Sequence, residues 1–276
     1  MNNNLKAEEQ VKEADQIKVE DKTSQVIADT QWSNTMKVHW NYGVYLPEEY
    51  VENLDKKYPV LYVLHGWGGN VTNTIDETRI DSKSILDNLI TNKEIKPMIV
   101  VFVDGFNSFY VDGPTFKMKS AIVNDLIPLI DSKYRTLNNK SNRAIAGISM
   151  GGFGSLNIAL SNSNKFDSVG LMSPAIWDTI EENNIIYGSP LVEKYYENSY
   201  KNLIREVESK DINIFLYHGE DDQVISYDNI ENFVSYARDS GFDVKYELQN
   251  QGTHSWPTWR EMYPKVLKDI SNNFNK

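Results

Sequence analysis

Ser149 lies in a sequence that could make it a nucleophile. The run Arg143-Ala-Ile-Ala-Gly-Ile-Ser-Met-Gly-Gly152 places this serine between Gly147 and Gly151, in the pattern Gly-x-Ser-x-Gly. Glycines suit both places because a sharp strand-to-helix turn leaves no room for Cβ atoms near the serine. Apolar residues before the turn indicate a buried strand, and residues 153–160 have the apolar spacing of a helix. The segment therefore predicts a nucleophile elbow.

A serine hydroxyl attacks a carbonyl only when a base takes its proton, and the chain has four histidines. His39 lies in an N-terminal strand-like run and is expected to be structural or exposed. His65 and His218 each end an apolar strand, where packing or a backbone hydrogen bond explains them. His254 lies in a polar loop after the last predicted strand and before the last predicted helix. We therefore predict that His254 is the base.

An acid that orients the histidine is expected in the segment His218-Gly-Glu-Asp-Asp-Gln223, which follows a strand. The chain order nucleophile, acid, histidine is that of the α/β-hydrolases. Glu220, Asp221 and Asp222 all satisfy this order. We favour Asp222, because hydrolases of this kind often carry Gly-x-x-Asp here, and Asp221 is the alternative. Without a catalytic role, the acidic cluster would be a solvated turn.

Two backbone N–H groups should face the oxyanion of a tetrahedral intermediate. Met150 directly follows the serine, so its N–H group is the first candidate. The second is expected from the loop His65-Gly-Trp-Gly-Gly69, whose glycines let the backbone approach a substrate. The N–H group of Trp67 is our candidate in that loop.

Several separated strings give the chain a family resemblance. The chain resembles the esterase D and mycolyltransferase-like branch of the α/β-hydrolases in five strings, residues 64–69, 104–112, 125–130, 147–152 and 252–259. This branch includes feruloyl and acetyl xylan esterases. The resemblance implies Ser149, Asp222 and His254 as a catalytic triad beside a shallow acyl-ester site. Residues 93–100 are similar to feruloyl esterases, whereas residues 252–256 are closer to mycolyltransferases, so the substrate stays open.

Apolar strand-like runs alternate with helical patterns along most of the chain. This alternation predicts an α/β-hydrolase fold with a doubly wound, mostly parallel sheet and helices on both faces. The strand-like runs are 60–64, 98–103, 144–148, 169–172, 212–217 and 244–248, and the helical ones are 84–92, 121–134, 151–162, 195–208, 230–239 and 260–274. We expect a single catalytic domain, residues 32–276, preceded by a flexible charged tail, residues 1–31, which has too little apolar surface to order itself.

Composition narrows the partners. The formal net charge of −11 opposes binding to nucleic acid or anionic lipid, and the absence of cysteine excludes disulfides, thiolate metal sites and a cysteine nucleophile. No apolar run is long enough to span a membrane, and no metal-ligand or phosphate-binding motif is present, so we expect no cofactor. The chain as written has no signal peptide, which predicts a cytoplasmic protein, or a surface-tethered one if a longer precursor was trimmed.

Polar and aromatic residues accumulate in the loops expected at the carboxyl ends of the strands, where ligands bind in such folds. Asn107 and Tyr110 follow the 98–103 strand, Trp256 lies beside the predicted base, and the segment 174–208 carries Trp177, Tyr187, Tyr195, Tyr196 and Tyr200. Flat rings can stack on a sugar or an aryl acyl group, although packing explains at least half of those in the 174–208 segment. We expect substrate contacts from Asn107, Tyr110, Trp177 and Trp256.

These features together predict a serine carboxylesterase that hydrolyses acyl esters, feruloyl or acetyl esters of carbohydrates above all, through an acyl-enzyme. An acyltransferase that passes the acyl group to a sugar alcohol uses the same residues and remains an alternative. A binding module on a hydrolase scaffold is the non-enzymatic alternative, which an intact candidate triad disfavours.

Overall fold

An eight-stranded sheet forms the centre of the molecule. The computed structural model describes residues 23–113, 115–179 and 195–274. The strands are β1 (Gln25–Ser33), β2 (Val38–Leu46), β3 (Val60–Leu64), β4 (Ile99–Val103), β5 (Arg143–Ile148), β6 (Ser168–Met172), β7 (Asn213–Gly219) and β8 (Asp243–Gln249). Their order is β1-β2-β4-β3-β5-β6-β7-β8. β2 pairs antiparallel with β1 and with β4, and every other pair is parallel.

Helices cover both faces of this sheet, which confirms the predicted architecture. They are α1 (Glu49–Glu52), α2 (Ser82–Thr91), α3 (Met118–Ala121), α4 (Ile127–Lys133), α5 (Met150–Ser161), α6 (Tyr200–Glu206), α7 (Tyr227–Asp239) and α8 (Trp256–Asn273), with a π-helical stretch at Ile122–Leu126 and 3₁₀ turns at Val71–Thr74 and Lys140–Asn142. α3 to α7 share one apolar core, whereas α2 and α8 pack in the other.

The central strands are apolar on both sides because each side faces a helical layer. Along β3, Val60, Tyr62 and Leu64 belong to the first core, whereas Leu61 and Val63 belong to the second. Successive side chains of a strand point to opposite faces, so this alternation is what a doubly covered sheet requires.

Strand β1 corrects the predicted boundary of the N-terminal tail. All nine of its residues pair with β2, so the expectation of a flexible segment up to residue 31 is wrong from Gln25 onward. Pairing satisfies the backbone groups of β1 that face β2, and side chains anchor the strand as well: Ser33 Oγ donates to Asp125 Oδ2 at 2.6 Å, and Lys133 Nζ lies 2.6 Å from Asp29 Oδ2. Residues 1–22 lie outside the described residues.

The strand order changes direction at β3, and this determines where a site can form. β3 has β4 on one side and β5 on the other, so the loops after β3 and β5 diverge and leave a crevice at the carboxyl edge. His65 directly follows β3, and Ser149 directly follows β5. The candidate residues from these two loops therefore lie at the place where such sheets bind ligands.

Candidate active site

Ser149 occupies a strained turn between β5 and α5. Its φ is +54°, an unusual value for a residue with a side chain. A Cβ atom on Gly147 would lie 2.2 Å from the backbone of Gly151, and one on Gly151 would lie 2.2 Å from Leu64 O. Both positions therefore require glycine, and the predicted strand, tight turn and helix are present.

Three side chains from separate loops meet at this turn. His254 Nε2 lies 2.9 Å from Ser149 Oγ, and His254 Nδ1 lies 2.7 Å from Asp222 Oδ2. A carboxylate can only accept a hydrogen bond, so the ring proton lies on Nδ1 and leaves the Nε2 lone pair facing the serine hydroxyl. The His254 side chain is 13% exposed and that of Asp222 is fully buried, which shields the acid from water while the serine stays partly accessible.

Asp222 is held as a carboxylate by its surroundings. Burial opposes ionisation, but hydrogen bonds from His254 and from the N–H groups of Ile225 and Val224 outweigh it and lower the pKa of Asp222. Both backbone N–H groups lie 2.9 Å from Asp222 Oδ1, while Oδ2 faces His254. One oxygen therefore fixes the carboxylate to its own loop, and the other is directed at the imidazole.

Asp222, and not Asp221, contacts the histidine. The side chain of Asp221 is exposed, and its backbone N–H donates to Gly252 O at 2.8 Å. A Cβ atom on Gly219 would lie 2.3 Å from Gly252 O, so the loops that carry the acid and the histidine pack backbone against backbone. This contact fixes the separation of Asp222 and His254.

The two candidate oxyanion donors belong to residues that follow Ser149 and Gly66. Met150 N–H is the first of α5, and within the described ranges neither it nor the N–H of Trp67 donates to another group of the chain. A Cβ atom on Gly66 would lie 3.5 Å from Ser149 Cβ, so the loop carrying Trp67 runs against the serine. Both N–H groups therefore remain candidates for binding an oxyanion.

The loop of residues 65–69, which we call the oxyanion loop, is fixed by the loop after β4. His65 Nδ1 donates to Gly66 O at 2.7 Å, and His65 Nε2 accepts from Gly105 N–H at 2.9 Å. Gly68 N–H donates to Asn107 Oδ1 at 2.8 Å. His65 is therefore structural, as expected, and the oxygen of Asn107 is bonded to the oxyanion loop. No sequence signal pointed to that second contact.

The expectation that the Tyr110 ring contacts substrate is wrong. The ring is fully buried, and its hydroxyl donates to His65 O at 3.1 Å. Cβ atoms on Gly105 and Gly154 would lie 2.1 Å and 2.5 Å from the Tyr110 side chain, so the ring fills a space that two glycines leave open. Tyr110 therefore supports the oxyanion loop from below.

The tryptophans differ in exposure. Trp67 is 42% exposed and its ring rests on Phe109. Trp177 is half-buried and exchanges backbone hydrogen bonds with the hydroxyl of Tyr195. Trp256 is half-buried, with its ring against Trp259 and under the guanidinium of Arg79. Among these rings Trp67 offers the most open face, and Tyr187 lies outside the described residues.

Three further expectations from the sequence concern His39, metal ligands and membrane-spanning helices. His39 is exposed at the β1–β2 hairpin, with its ring against Trp32. Within residues 23–113, 115–179 and 195–274, no group of three or more histidine or acidic side chains is arranged to hold a metal ion. No helix in the same ranges has the length and apolarity needed to cross a bilayer.

Solved structures share this fold across almost the whole chain. A ferulic acid esterase superposes with a TM-score of 0.81 at 28% identity, covering 91% of this chain and 99% of that one. A ferulic acid esterase from Anaeromyces mucronatus superposes with a TM-score of 0.75 at 19% identity, covering 95% of this chain and 96% of that one. The fold is that of the α/β-hydrolase esterases.

Sequence comparison gives the family. The chain belongs to the family described as "Putative esterase", whose profile matches residues 33–270. It is 29% identical over 249 residues to an endo-1,4-beta-xylanase/feruloyl esterase from Xylanibacter ruminicola, covering 87% of this chain but only 30% of that protein. It is 26% identical over 240 residues to an acetyl esterase from Caldicellulosiruptor saccharolyticus, covering 76% of this chain and 82% of that protein. The chain thus spans under a third of the first relative and most of the second.

Proposed function

We propose that the protein hydrolyses carboxylic esters through an acyl-enzyme formed on Ser149. The observation that carries this proposal is the imidazole of His254, hydrogen-bonded to Ser149 Oγ on one side and to Asp222 on the other. A histidine held in this way can take a proton from the serine and return it to a leaving alcohol. A bystander serine would need no such partner.

The first half of the cycle forms the acyl-enzyme. Ser149 Oγ attacks the ester carbonyl as its proton passes to His254 Nε2, and the carbonyl electrons move to the oxygen. The N–H groups of Met150 and Trp67 stabilise that oxyanion, while Asp222 stabilises the imidazolium. The tetrahedral intermediate then collapses, the bond to the alcohol oxygen breaks, and His254 protonates the leaving alcohol.

The second half releases the acid. Water attacks the acyl carbonyl as His254 Nε2 takes its proton, and a second tetrahedral intermediate forms over the same two N–H groups. Its collapse breaks the bond to Ser149 Oγ, which recovers the proton from His254. No step requires a metal ion or an organic cofactor, because the described side chains supply every proton transfer and the backbone supplies the oxyanion donors.

We propose further that the substrates are acyl esters of carbohydrates, with aryl acyl groups such as feruloyl favoured. The names of the similar proteins support this class, since they include a xylanase/feruloyl esterase, an acetyl esterase and a ferulic acid esterase. The exposed ring of Trp67 supports it too, because it belongs to the residue whose N–H would face the oxyanion. An aromatic ring on a residue beside the reacting carbonyl can stack on an aryl acyl group or a sugar.

A substrate panel tests this proposal. We expect a feruloyl ester of a sugar to have a higher kcat/KM than an alkyl ester with an equal leaving group, because contacts away from the carbonyl stabilise the transition state. Trp67→Ala should lower kcat/KM about tenfold for the feruloyl ester and change it little for the alkyl ester. Trp32→Ala is the matched control, since Trp32 is exposed on the distant edge strand β1.

Equal losses on both esters would make Trp67 a packing residue and leave a general carboxylesterase. The products should also be analysed with an added sugar acceptor. In an acyltransferase the sugar hydroxyl, and not water, attacks the acyl-enzyme, so an acylated sugar would form in place of the free acid. No hydrolysis of any ester in the panel by the folded protein would contradict the proposed activity itself.

A further inference from the structure

His218 is a buried histidine that the proposed cycle does not use. It lies in β7 directly before Gly219, four residues before Asp222, and its side chain is fully buried. His218 Nε2 lies 3.1 Å from Ile225 O, and a carbonyl oxygen only accepts, so the ring proton is on Nε2. Nδ1 has no hydrogen-bond partner among the described residues. Within the described part of the chain the ring therefore makes a single hydrogen bond.

That single bond reaches the loop that carries the acid. Ile225 accepts from His218 through its carbonyl and donates through its own N–H to Asp222 Oδ1 at 2.9 Å. Asp222 in turn holds His254 through its other oxygen. Four groups are thus joined in series from the core of the sheet to the serine: His218, Ile225, Asp222 and His254.

Packing alone does not explain a histidine at this place. A buried polar ring carries a desolvation cost that an apolar side chain of similar size avoids, and one nitrogen here recovers none of it. Burial lowers the pKa of His218, so the ring is neutral, and the charged or titratable groups that act on it are Asp222 and His254. What the histidine adds over an apolar residue is the hydrogen bond to Ile225.

We propose that His218 is a positioning residue that holds the 222–225 turn and so directs the Asp222 carboxylate at His254. This role rests on the proposed function, because it acts only through the triad acid. Loss of the bond to Ile225 O frees the end of the turn whose N–H groups fix Asp222 Oδ1. The carboxylate then spends less time in the geometry that orients His254.

Two substitutions separate the hydrogen bond from the volume. His218→Leu fills the space without a donor, whereas the side-chain amide of His218→Gln can place an N–H near the position of Nε2. We expect His218→Leu to lower kcat by about 10- to 100-fold with KM within about threefold, as the loss of one buried hydrogen bond implies. His218→Gln should recover most of that loss.

The pH profile gives a readout that a merely structural role would not move. A histidine whose carboxylate partner is poorly placed gives up its proton more readily. The acid limb of kcat/KM against pH should therefore move to lower pH in His218→Leu and return in His218→Gln. General loss of stability would instead lower the amplitude at every pH without moving the limb.

A double-mutant cycle tests the route through Asp222. In an Asp222→Asn background, His218→Leu should cost less than about threefold more, since the residue it positions is already impaired. His65→Leu is the matched control, because His65 holds the oxyanion loop and should keep its full cost in that background. If His218→Leu does not fold, His218→Asn, whose donor lies near Nδ1, takes its place in the comparison.

Three results would each overturn the positioning role. The first is an equal kcat for His218→Leu and His218→Gln, and the second is an acid limb of the pH profile that does not move. The third is a loss from His218→Leu that is as large in the Asp222→Asn background as in the wild type. These outcomes are distinct from failure of the proposed function. Retention of activity in Ser149→Ala would contradict the mechanism. If Ser149→Ala loses activity as expected but His218→Leu keeps the wild-type kcat, only the inference about His218 is overturned.

Discussion

A His-Gly pair directly follows strand β3 and another ends strand β7, and each leads into a loop that supplies part of the site. His65 uses both ring nitrogens, and its loop is bonded from outside by Asn107. His218 uses one nitrogen, and its loop is bonded from within by the carboxylate of Asp222. The first loop must present a backbone N–H and has no carboxylate to anchor it, so the ring of His65 and the neighbouring Asn107 hold it. The second presents a carboxylate, which can anchor its own turn.

Backbone strain follows the same division. The loop after β4 that holds the oxyanion loop has positive φ at Phe106, Phe109 and Tyr110. Such residues cost about 1–3 kcal/mol each and persist only where surrounding contacts impose them. In the described structure no residue from 219 to 226 has a positive φ. The strain therefore lies in the loop that supports the oxyanion loop and not in the acid loop itself, although Gln251, next to the Gly252 that contacts the acid loop, also has a positive φ.

The largest expected effect concerns the carboxylate of the acid loop. Asp222→Asn should lower kcat by about 10³- to 10⁴-fold, because an amide cannot both orient the imidazole and stabilise its charge. Asp221→Asn is the neighbouring control and should stay within about threefold, since its side chain is exposed. Steady-state kinetics on an activated ester measures both, and the reverse ranking would move the acid to Asp221.

A smaller effect is expected where the oxyanion loop is held from outside. Asn107→Ala removes the acceptor for Gly68 N–H and should lower kcat by about tenfold with little change in KM, because the loop loses order that matters in the transition state. Asn124→Ala is a matched control: Asn124 is exposed and lies beside residues 160–165, which include the end of α5 remote from Ser149. A rise in KM with an unchanged kcat would instead make Asn107 a substrate contact, as its sequence position suggested.

Much of the sheet was predictable because its central strands are buried on both faces. β3 was predicted with its observed bounds, and β4, β5 and β6 to within one residue, since continuous apolar runs ending in glycine or polar residues mark such strands. The strand, turn and helix around Ser149 were predictable because each flanking glycine has a steric reason that the sequence displays.

Strand β1 and Tyr110 were not predictable, because their environment depends on distant residues. β1 is an edge strand with Asp29, Thr30 and Gln31 in its middle, so its composition resembles that of the charged segment before it. Tyr110 is buried because Gly154, on a helix 44 positions later in the chain, leaves room for its ring. The hydrogen bond from His218 to Ile225 likewise depends on how a loop returns to its own strand.

Identification of the acylated residue tests the proposed acyl-enzyme on Ser149 most directly. Wild-type enzyme mixed with an excess of an aryl ester, quenched in acid within milliseconds and digested, should yield one acylated peptide, modified at Ser149. Ser149→Ala should yield none, with kcat at least about 10³-fold lower and its circular dichroism unchanged. Acylation of another residue in the wild type, or activity within tenfold of wild type in Ser149→Ala, would contradict the account.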